Sequence, residues 1–191
     1  MDKNLIEQFS LFGRELFLAG MNNSHSGNMS FFEHGKGIIT ITKTGAMLGI
    51  ITESSLVETT AGENCELDKI ASREIVVHRA IYNQTSKKAI IHAHPPAVIA
   101  MSFENDVIRP IDAEGGYYFC DGVPVITVKN AIASSEVAVK IAPYLEKYNI
   151  AVVRGHGTFA AAESLEKCLL YTTSLEFACR CIINHKIIAG K

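Results

Sequence analysis

Ala89-Ile90-Ile91-His92-Ala93-His94-Pro95-Pro96 is the stretch around which the rest of the chain is organised. Ala89 to Ile91 is a short apolar run and reads as a buried strand. His92 and His94 follow, two residues apart. On a strand that spacing puts both imidazoles on one face, a few ångströms from each other. Neutral nitrogen donors suit zinc and its neighbours, so two imidazoles converging at a strand end make half of a transition-metal site. Pro95-Pro96 removes two backbone donors and ends the strand. A site at a strand terminus can stay open to substrate. The plainer alternative is a pair of histidines satisfied by core or solvent, and the choice turns on whether the chain supplies further ligands.

The 191 residues suit a single domain, 1–191, with a sizeable core. Nearly half the residues are apolar and a fifth are charged, as in a soluble globular protein. The formal charge of −2 gives no global field that would draw nucleic acid or an anionic membrane, so any phosphate must be held by local groups. The five cysteines, Cys65, Cys120, Cys168, Cys179 and Cys181, are odd in number and contain no Cys-x-x-Cys, which points to reduced thiols. The N-terminus carries an acid and soon turns amphipathic, unlike a signal peptide. No apolar run reaches the length of a membrane span. A cytoplasmic protein is expected, with no nucleic-acid or membrane partner.

Leu5, Ile6, Phe9, Phe12, Leu16 and Phe17 recur at helical spacing and predict an opening helix that ends near Gly20. A polar loop, Met21 to Ser30, precedes a hairpin of Met29–Phe32 and Ile38–Thr42. Leu56–Thr60 reads as a strand closed by Gly62-Glu63-Asn64. Ala71-Ser72-Arg73-Glu74 opens the next helix, with Ser72 as N-cap and Glu74 in the first turn. After the His92 strand come a short helix from about Ala97 to Phe103, a strand near Val107–Ile111, and a loop at Gly115-Gly116. Val123–Val128 is a strand, Ser134 to about Tyr148 a helix, Ile150–Val153 and Thr158–Ala161 strands. A last helix begins near Ser164. Helices and short strands of this kind make a three-layer α/β/α sandwich on a mixed, mostly antiparallel sheet.

Gly155-His156-Gly157 is the third metal candidate. It follows an apolar strand, as His92 does, and its glycines let the backbone turn sharply. Two strand ends can then gather His92, His94 and His156 around one ion, and three histidines with an open position are a catalytic zinc arrangement. An exposed histidine in a glycine turn is the competing reading. Glu74 is the candidate acid or base, placed where a helix dipole favours a carboxylate. His78, four residues on, reads as a packed helix histidine, and His25, His34 and His185 as surface residues. Ser26-Gly27-Asn28, Thr44-Gly45 and Ser72-Arg73 each offer donors at a turn or helix start. Singly they are ordinary turns and caps; together they look like a phosphate cradle.

Gly27-Asn28-Met29-Ser30, Thr42-Lys43-Thr44-Gly45, Ala71-Ser72-Arg73-Glu74, His92-Ala93-His94 and Gly155-His156-Gly157, in that order and spacing, resemble the class II aldolase/adducin-head family, nearest to its L-fuculose-1-phosphate aldolase branch. The resemblance covers nearly the whole chain. It implies a class II aldolase-like fold and one zinc ion per subunit, held by His92, His94 and His156. Glu74 would bind the metal at rest and act as base with substrate bound. It implies phosphate contacts from Gly27, Asn28, Thr44, Gly45, Ser72 and Arg73, and a four-fold homotetramer with sites between subunits. Three departures stand out. Lys43 stands where the fuculose aldolases usually have proline, and Ala71-Ser72-Arg73 where they have Pro-Ser-Ser. No tyrosine precedes Gly115-Gly116, where those aldolases carry a proton donor. A longer C-terminal tail that closes over substrate is also not expected.

The function so implied is a zinc-dependent lyase. It would cleave a ketose 1-phosphate reversibly to dihydroxyacetone phosphate and an aldehyde, through a metal-stabilised enediolate. A methylthioribulose-1-phosphate dehydratase and a sugar-phosphate 4-epimerase are alternatives on the same scaffold. A non-enzymatic adducin-head-like module is disfavoured, because a scaffold has no need of three histidines and a carboxylate in one place. Imidazole protonation should release the metal below about pH 6.

Overall fold

The computed structural model describes residues 1–62 and 66–190. Part of the predicted turn, Glu63-Asn64, lies outside the described residues, as do Cys65 and Lys191. Helix α1 (Lys3–Leu18) leads into strands β1 (Asn28–Glu33), β2 (Ile38–Thr42) and β3 (Leu56–Thr60). Then come α2 (Ile75–Gln84), β4 (Ala89–Ala93), α3 (Pro96–Ser102), β5 (Val107–Ile108), α4 (Ala113–Tyr118) and β6 (Val123–Ile126). The chain finishes with α5 (Ser135–Lys147), β7 (Ile150–Val153), β8 (Gly157–Ala162) and α6 (Leu165–Ile188).

The strands form one eight-stranded sheet in the order β3-β2-β1-β4-β8-β7-β6-β5. Every pairing is antiparallel except β6 with β7. That exception has a cause: parallel neighbours need a crossover, and α5 provides it. The two faces are covered separately. Ala89, Ile91 and Ala93 of β4 pack with Phe9 of α1, Val98 of α3 and Leu175 of α6. Ile90 points the other way, into a core shared with Ile81 of α2 and Ile141 of α5. β4 is thus buried on both sides along its whole length. This is why its sequence reads as a continuous apolar run rather than an alternation.

Two predicted elements change. Gly115-Gly116 lies inside α4 rather than in a loop: the Asp112 carboxylate accepts the Gly115 N–H at 2.8 Å and caps a short helix despite the glycines. The predicted Val107–Ile111 strand keeps only Val107–Ile108, because Pro110 cannot donate to a ladder. The aromatic group after it is divided. Tyr118 and Phe119 pack against Tyr171 of α6, while Tyr117 is 81% exposed.

The side chains of β1 and α2 run in step, since two strand residues and four helix residues advance by similar lengths. Ser30 bridges His78 Nδ1 and the Tyr82 hydroxyl, both at 2.6 Å, and Phe32 packs on Tyr82. His78 is therefore the packed helix histidine that its spacing predicts. Burial pushes its pKa down to about 3. The unfolded chain takes up that proton near pH 6.5, so the neutral His78 contributes stability that is complete above this value and drains as pH falls towards 3. On this group alone, the metal-free chain should lose about 2 kcal/mol between pH 7 and pH 5, at about 1.4 kcal/mol per pH unit below 6.5. Urea midpoints at the two pH values, with a chelator present, read it out; equal midpoints would contradict a neutral buried His78.

Candidate active site

His92 is the penultimate residue of β4, and His94 lies just past its end. The register sets Asn28 of β1 beside His92 on one flank and Phe159 of β8 on the other. The His92 ring stacks on Phe159 with centroids 4.2 Å apart. Its Nδ1 donates to the Thr158 carbonyl at 2.9 Å. A carbonyl only accepts, so the proton sits on Nδ1 and the Nε2 lone pair is free. The His94 backbone N–H is held by Asn22 Oδ1 at 3.0 Å and by the Met21 carbonyl at 2.9 Å.

The third histidine arrives from the β7–β8 turn, and its two glycines have different causes. Gly155 has φ +68°, a left-handed backbone that favours glycine. Gly157 is required by space: a Cβ there would lie 2.2 Å from the Ala93 carbonyl oxygen and 3.0 Å from the His94 ring. The result is a niche in which His92, His94 and His156 each present a donor atom within 4.8 Å of the other two.

Burial, followed by the neighbouring imidazoles, holds His92 well below the ordinary histidine range. Burial and His156 bring His94 to about 4, and burial lowers His156 against the opposing Ala131 carbonyl. All three rings are neutral at pH 7 and present lone pairs. Nδ1 of His94 and Nδ1 of His156 are buried without a hydrogen-bond partner. Orphaned buried polar atoms cost about 1–3 kcal/mol each, and a cation in the niche is one way to satisfy such nitrogens. The donor set fits a divalent transition metal.

Glu74 lines the same cavity, but at the N-cap position of α2 rather than in its first turn, and its own side chain caps nothing. It does not join the 4.8 Å group of donors. Ser72, the predicted N-cap, instead accepts the Glu74 N–H at 3.3 Å. Glu74 Oε1 accepts the Ala133 N–H at 2.9 Å, and Oε2 is buried without a partner. Burial raises its pKa, against the opposing effects of the Ala133 N–H and the Arg73 charge. This is a carboxyl poised to exchange a proton nearer neutrality than a free side chain would.

The cavity holds about 320 Å³. Gly27, Asn28, Thr44, Gly45, Ser72 and Arg73 all line it, so the three predicted donor loops do converge. Gly27 and Gly45 have φ of +79° and +78°, and both turns need glycine for that reason. The Thr44 hydroxyl donates to the Ala71 carbonyl at 2.7 Å and ties the second loop to the third. Asn28 Oδ1 is buried and unpartnered. Arg73 is exposed at the rim.

Ser26 lines the wall with the rest of its predicted loop, and three further lining residues were not among the candidates: His25, Lys43 and Ile132. His25 looked like a surface residue, and it is exposed, but it stands on the cavity wall. The wall that contains Ile132 and Ala133 had no motif. Its one signal was a bulky aliphatic residue that the connection leaves in the open: Ile132 is 62% exposed. No tyrosine of the described residues lines the cavity.

An α/β/α sandwich of this topology, with three imidazoles, a buried carboxylate and three donor-bearing turns around one cavity, has the class II aldolase-like fold. The family described as Class II Aldolase and Adducin N-terminal domain matches residues 7–183, and the chain belongs to it. The crystal structure of L-fuculose-1-phosphate aldolase from Thermus thermophilus superposes with a TM-score of 0.93 at 32% identity, covering 99% of this chain and 97% of that one. A methylthioribulose-1-phosphate dehydratase of Gluconacetobacter diazotrophicus is 25% identical over 190 residues, 93% of this chain and 91% of its own. A 3,4-dihydroxyphthalate decarboxylase of Arthrobacter keyseri is 30% identical over 111 residues, 56% of this chain and 45% of its own. The match thus spans about half the length of that decarboxylase. Relatives on this scaffold therefore include aldolases, dehydratases and decarboxylases. No helix among the described residues is long and apolar enough to cross a membrane.

Proposed function

We propose that the chain is a zinc-dependent cytoplasmic lyase that cleaves a ketose 1-phosphate reversibly to dihydroxyacetone phosphate and an aldehyde. One observation carries this reading: a three-imidazole niche, a buried carboxylate with an unpartnered oxygen and three donor-bearing turns share one cavity. Full-length similarity to a fuculose-phosphate aldolase supports it.

His92, His94 and His156 would hold one zinc ion per chain, with Glu74 as a further ligand at rest through its unpartnered Oε2. Bound there, zinc supplies Lewis-acid polarisation of substrate oxygens. Gly27, Asn28, Thr44, Gly45, Ser72 and Arg73 hold the phosphate and so fix the ketose relative to Glu74. In cleavage the hydroxyl of the carbon that becomes the aldehyde gives up its proton as the carbon–carbon bond breaks, and Glu74 delivers a proton to the hydroxyl-bearing carbon left behind; in the reverse direction Glu74 takes that proton. The dehydratase is the second reading, supported by a match over nearly the whole of both chains. It would use the same cradle and expel water instead of breaking a carbon–carbon bond. Ketose 1-phosphates and methylthioribulose 1-phosphate, incubated with zinc-loaded protein and analysed for products, decide between them. Dihydroxyacetone phosphate supports cleavage, and a dehydrated phosphate ester overturns it.

Arg73 is given the ground-state role. Arg73→Ala should raise KM for phosphorylated substrate about tenfold or more, since a charge-assisted contact contributes roughly 1.5–3 kcal/mol, with kcat little changed. It should barely affect turnover of an unphosphorylated analogue. Unchanged KM would remove Arg73 from the cradle.

The working form is proposed to be a homotetramer. Tyr117, Ile111 and Phe177 are large, apolar and exposed, and they offer surface for a neighbouring copy. Light scattering at micromolar concentration should give about four times the chain mass, and a monomer would contradict it.

A further inference from the structure

Helix α3 starts two residues after His94 and ends against the turn that carries His156. It spans seven residues, about 10 Å at 1.5 Å per residue. It has no side-chain cap of its own, because Pro95 occupies the N-cap position and Pro96 follows it. Both of its ends are instead capped by residues distant in sequence.

At the N-terminus, Glu176 of α6 reaches in. Its Oε2 accepts the N–H groups of Ala97 at 2.9 Å and Val98 at 3.1 Å, and its Oε1 pairs with Arg180 at 2.8 Å. The Glu176 side chain is only 2% exposed. At the C-terminus, Arg154 donates to the carbonyl oxygens of Ser102 and Phe103, to Thr127 Oγ1 at 2.9 Å and to Asp106 at 2.5 Å. Ser102 Oγ accepts the Gly155 N–H at 2.9 Å. A carboxylate therefore sits at the positive end of the helix and a guanidinium at the negative end, where each is stabilised by the dipole and by orphan backbone groups.

We infer that Glu176, α3 and Arg154 form a strut that, together with the β4–β8 ladder, holds the spacing of His156 from His92 and His94. Arg154 and Glu176 are positioning residues: neither belongs to the niche, and both act on it through α3. The inference rests on the niche being a metal site, and it is independent of which lyase reaction the site performs. The three donor atoms come from two separate chain segments. Their 4.8 Å grouping therefore depends on whatever fixes one segment against the other. The β4–β8 ladder, with Ala93 beside Thr158, the His92–Thr158 bond and Gly157 packed on Ala93, joins the segments on the side that follows His156. The strut anchors the side that precedes His156, through Arg154 and Gly155, with capping bonds at both ends of α3.

The test is zinc affinity, measured by chelator competition on metal-stripped protein alongside the melting temperature of the stripped protein. Arg154→Met keeps length and removes every donor. It should weaken zinc binding about tenfold or more, the range for residues that orient metal ligands. Glu176→Gln keeps volume, turns a carboxylate into a poorer acceptor, and should move affinity in the same direction by roughly threefold or more. Asp106→Asn disrupts only the ion pair of Arg154 with an exposed carboxylate, 93% accessible, and should leave zinc affinity within about twofold. A purely structural role would lower the melting temperature and leave zinc affinity in place; that result in both Arg154→Met and Glu176→Gln overturns the inference. If Arg154→Met does not fold, Glu176→Gln decides. A shift in Arg154→Met alone also overturns the strut, since it would mean local anchoring of the His156 turn. Failure of the wild-type chain to bind zinc would overturn the metal reading, and the strut with it.

Discussion

Glu74→Gln is expected to lower kcat by roughly two to four orders of magnitude, the range for a lost general base, while KM for the phosphorylated substrate stays within a few-fold. The substitution is nearly isosteric. A glutamine carbonyl can still accept the Ala133 N–H that Glu74 Oε1 accepts at 2.9 Å, so the loop over the site keeps its anchor. The cradle residues are untouched, so ground-state binding is retained. What disappears is a carboxylate able to take a proton, with Oε2 unpartnered in the cavity and a pKa raised by burial. Burying a neutral amide costs less than burying a charge, so the melting temperature should hold or rise. Steady-state kinetics with thermal melts settles the matter. A wild-type kcat removes Glu74 from the chemistry, and a joint collapse of kcat and melting temperature shows damage to the fold instead. The same experiment bears on the dehydratase reading, which also needs a proton moved next to the phosphate-bearing end.

The parts of this site that were legible in the sequence are those whose spacing has a single structural meaning. His92 and His94 share a strand face because strands alternate, and Gly155 and Gly157 mark a turn whatever surrounds it. Likewise Asp112 shows why α4 was missed: one capping carboxylate outweighs two glycines, and local propensity does not reveal that bond. Position in depth was not legible. His25 and Ile132 reach the cavity wall through loop paths set by the whole sheet, not by neighbouring residues. The borrowed caps of α3 were also hidden, because Glu176 lies 79 residues from Ala97 and Arg154 lies 52 from Ser102. Capping rules written for neighbours cannot find such partners.

His92→Ala should remove the metal. His92 is the most buried of the three rings at 1% exposed, and the Thr158 carbonyl fixes its tautomer so that Nε2 is the free donor. Truncating it leaves two imidazoles and a space over Phe159. Altering a mere orienting partner typically costs about 10- to 100-fold in affinity, so deleting a ligand should cost more. Zinc content of the purified protein should fall from about one ion per chain to a small fraction of that, and lyase activity should fall with it. Full occupancy with full activity would end the assignment of this niche. Acid offers a second probe, and the burial of the rings moves the expected release below pH 6. Burial and the neighbouring imidazole bring His94 to about 4 and hold His92 well below its ordinary range, so protons compete poorly for these two rings until the medium is far more acidic. The unfolded chain, by contrast, takes up its histidine protons near pH 6.5. As pH falls from that value, stability should therefore drain before the folded niche protonates, and metal should leave together with loss of structure. Zinc release and circular dichroism followed along one acid titration should move as a single transition. Release well above the unfolding transition would show that the three rings protonate more easily than their burial implies.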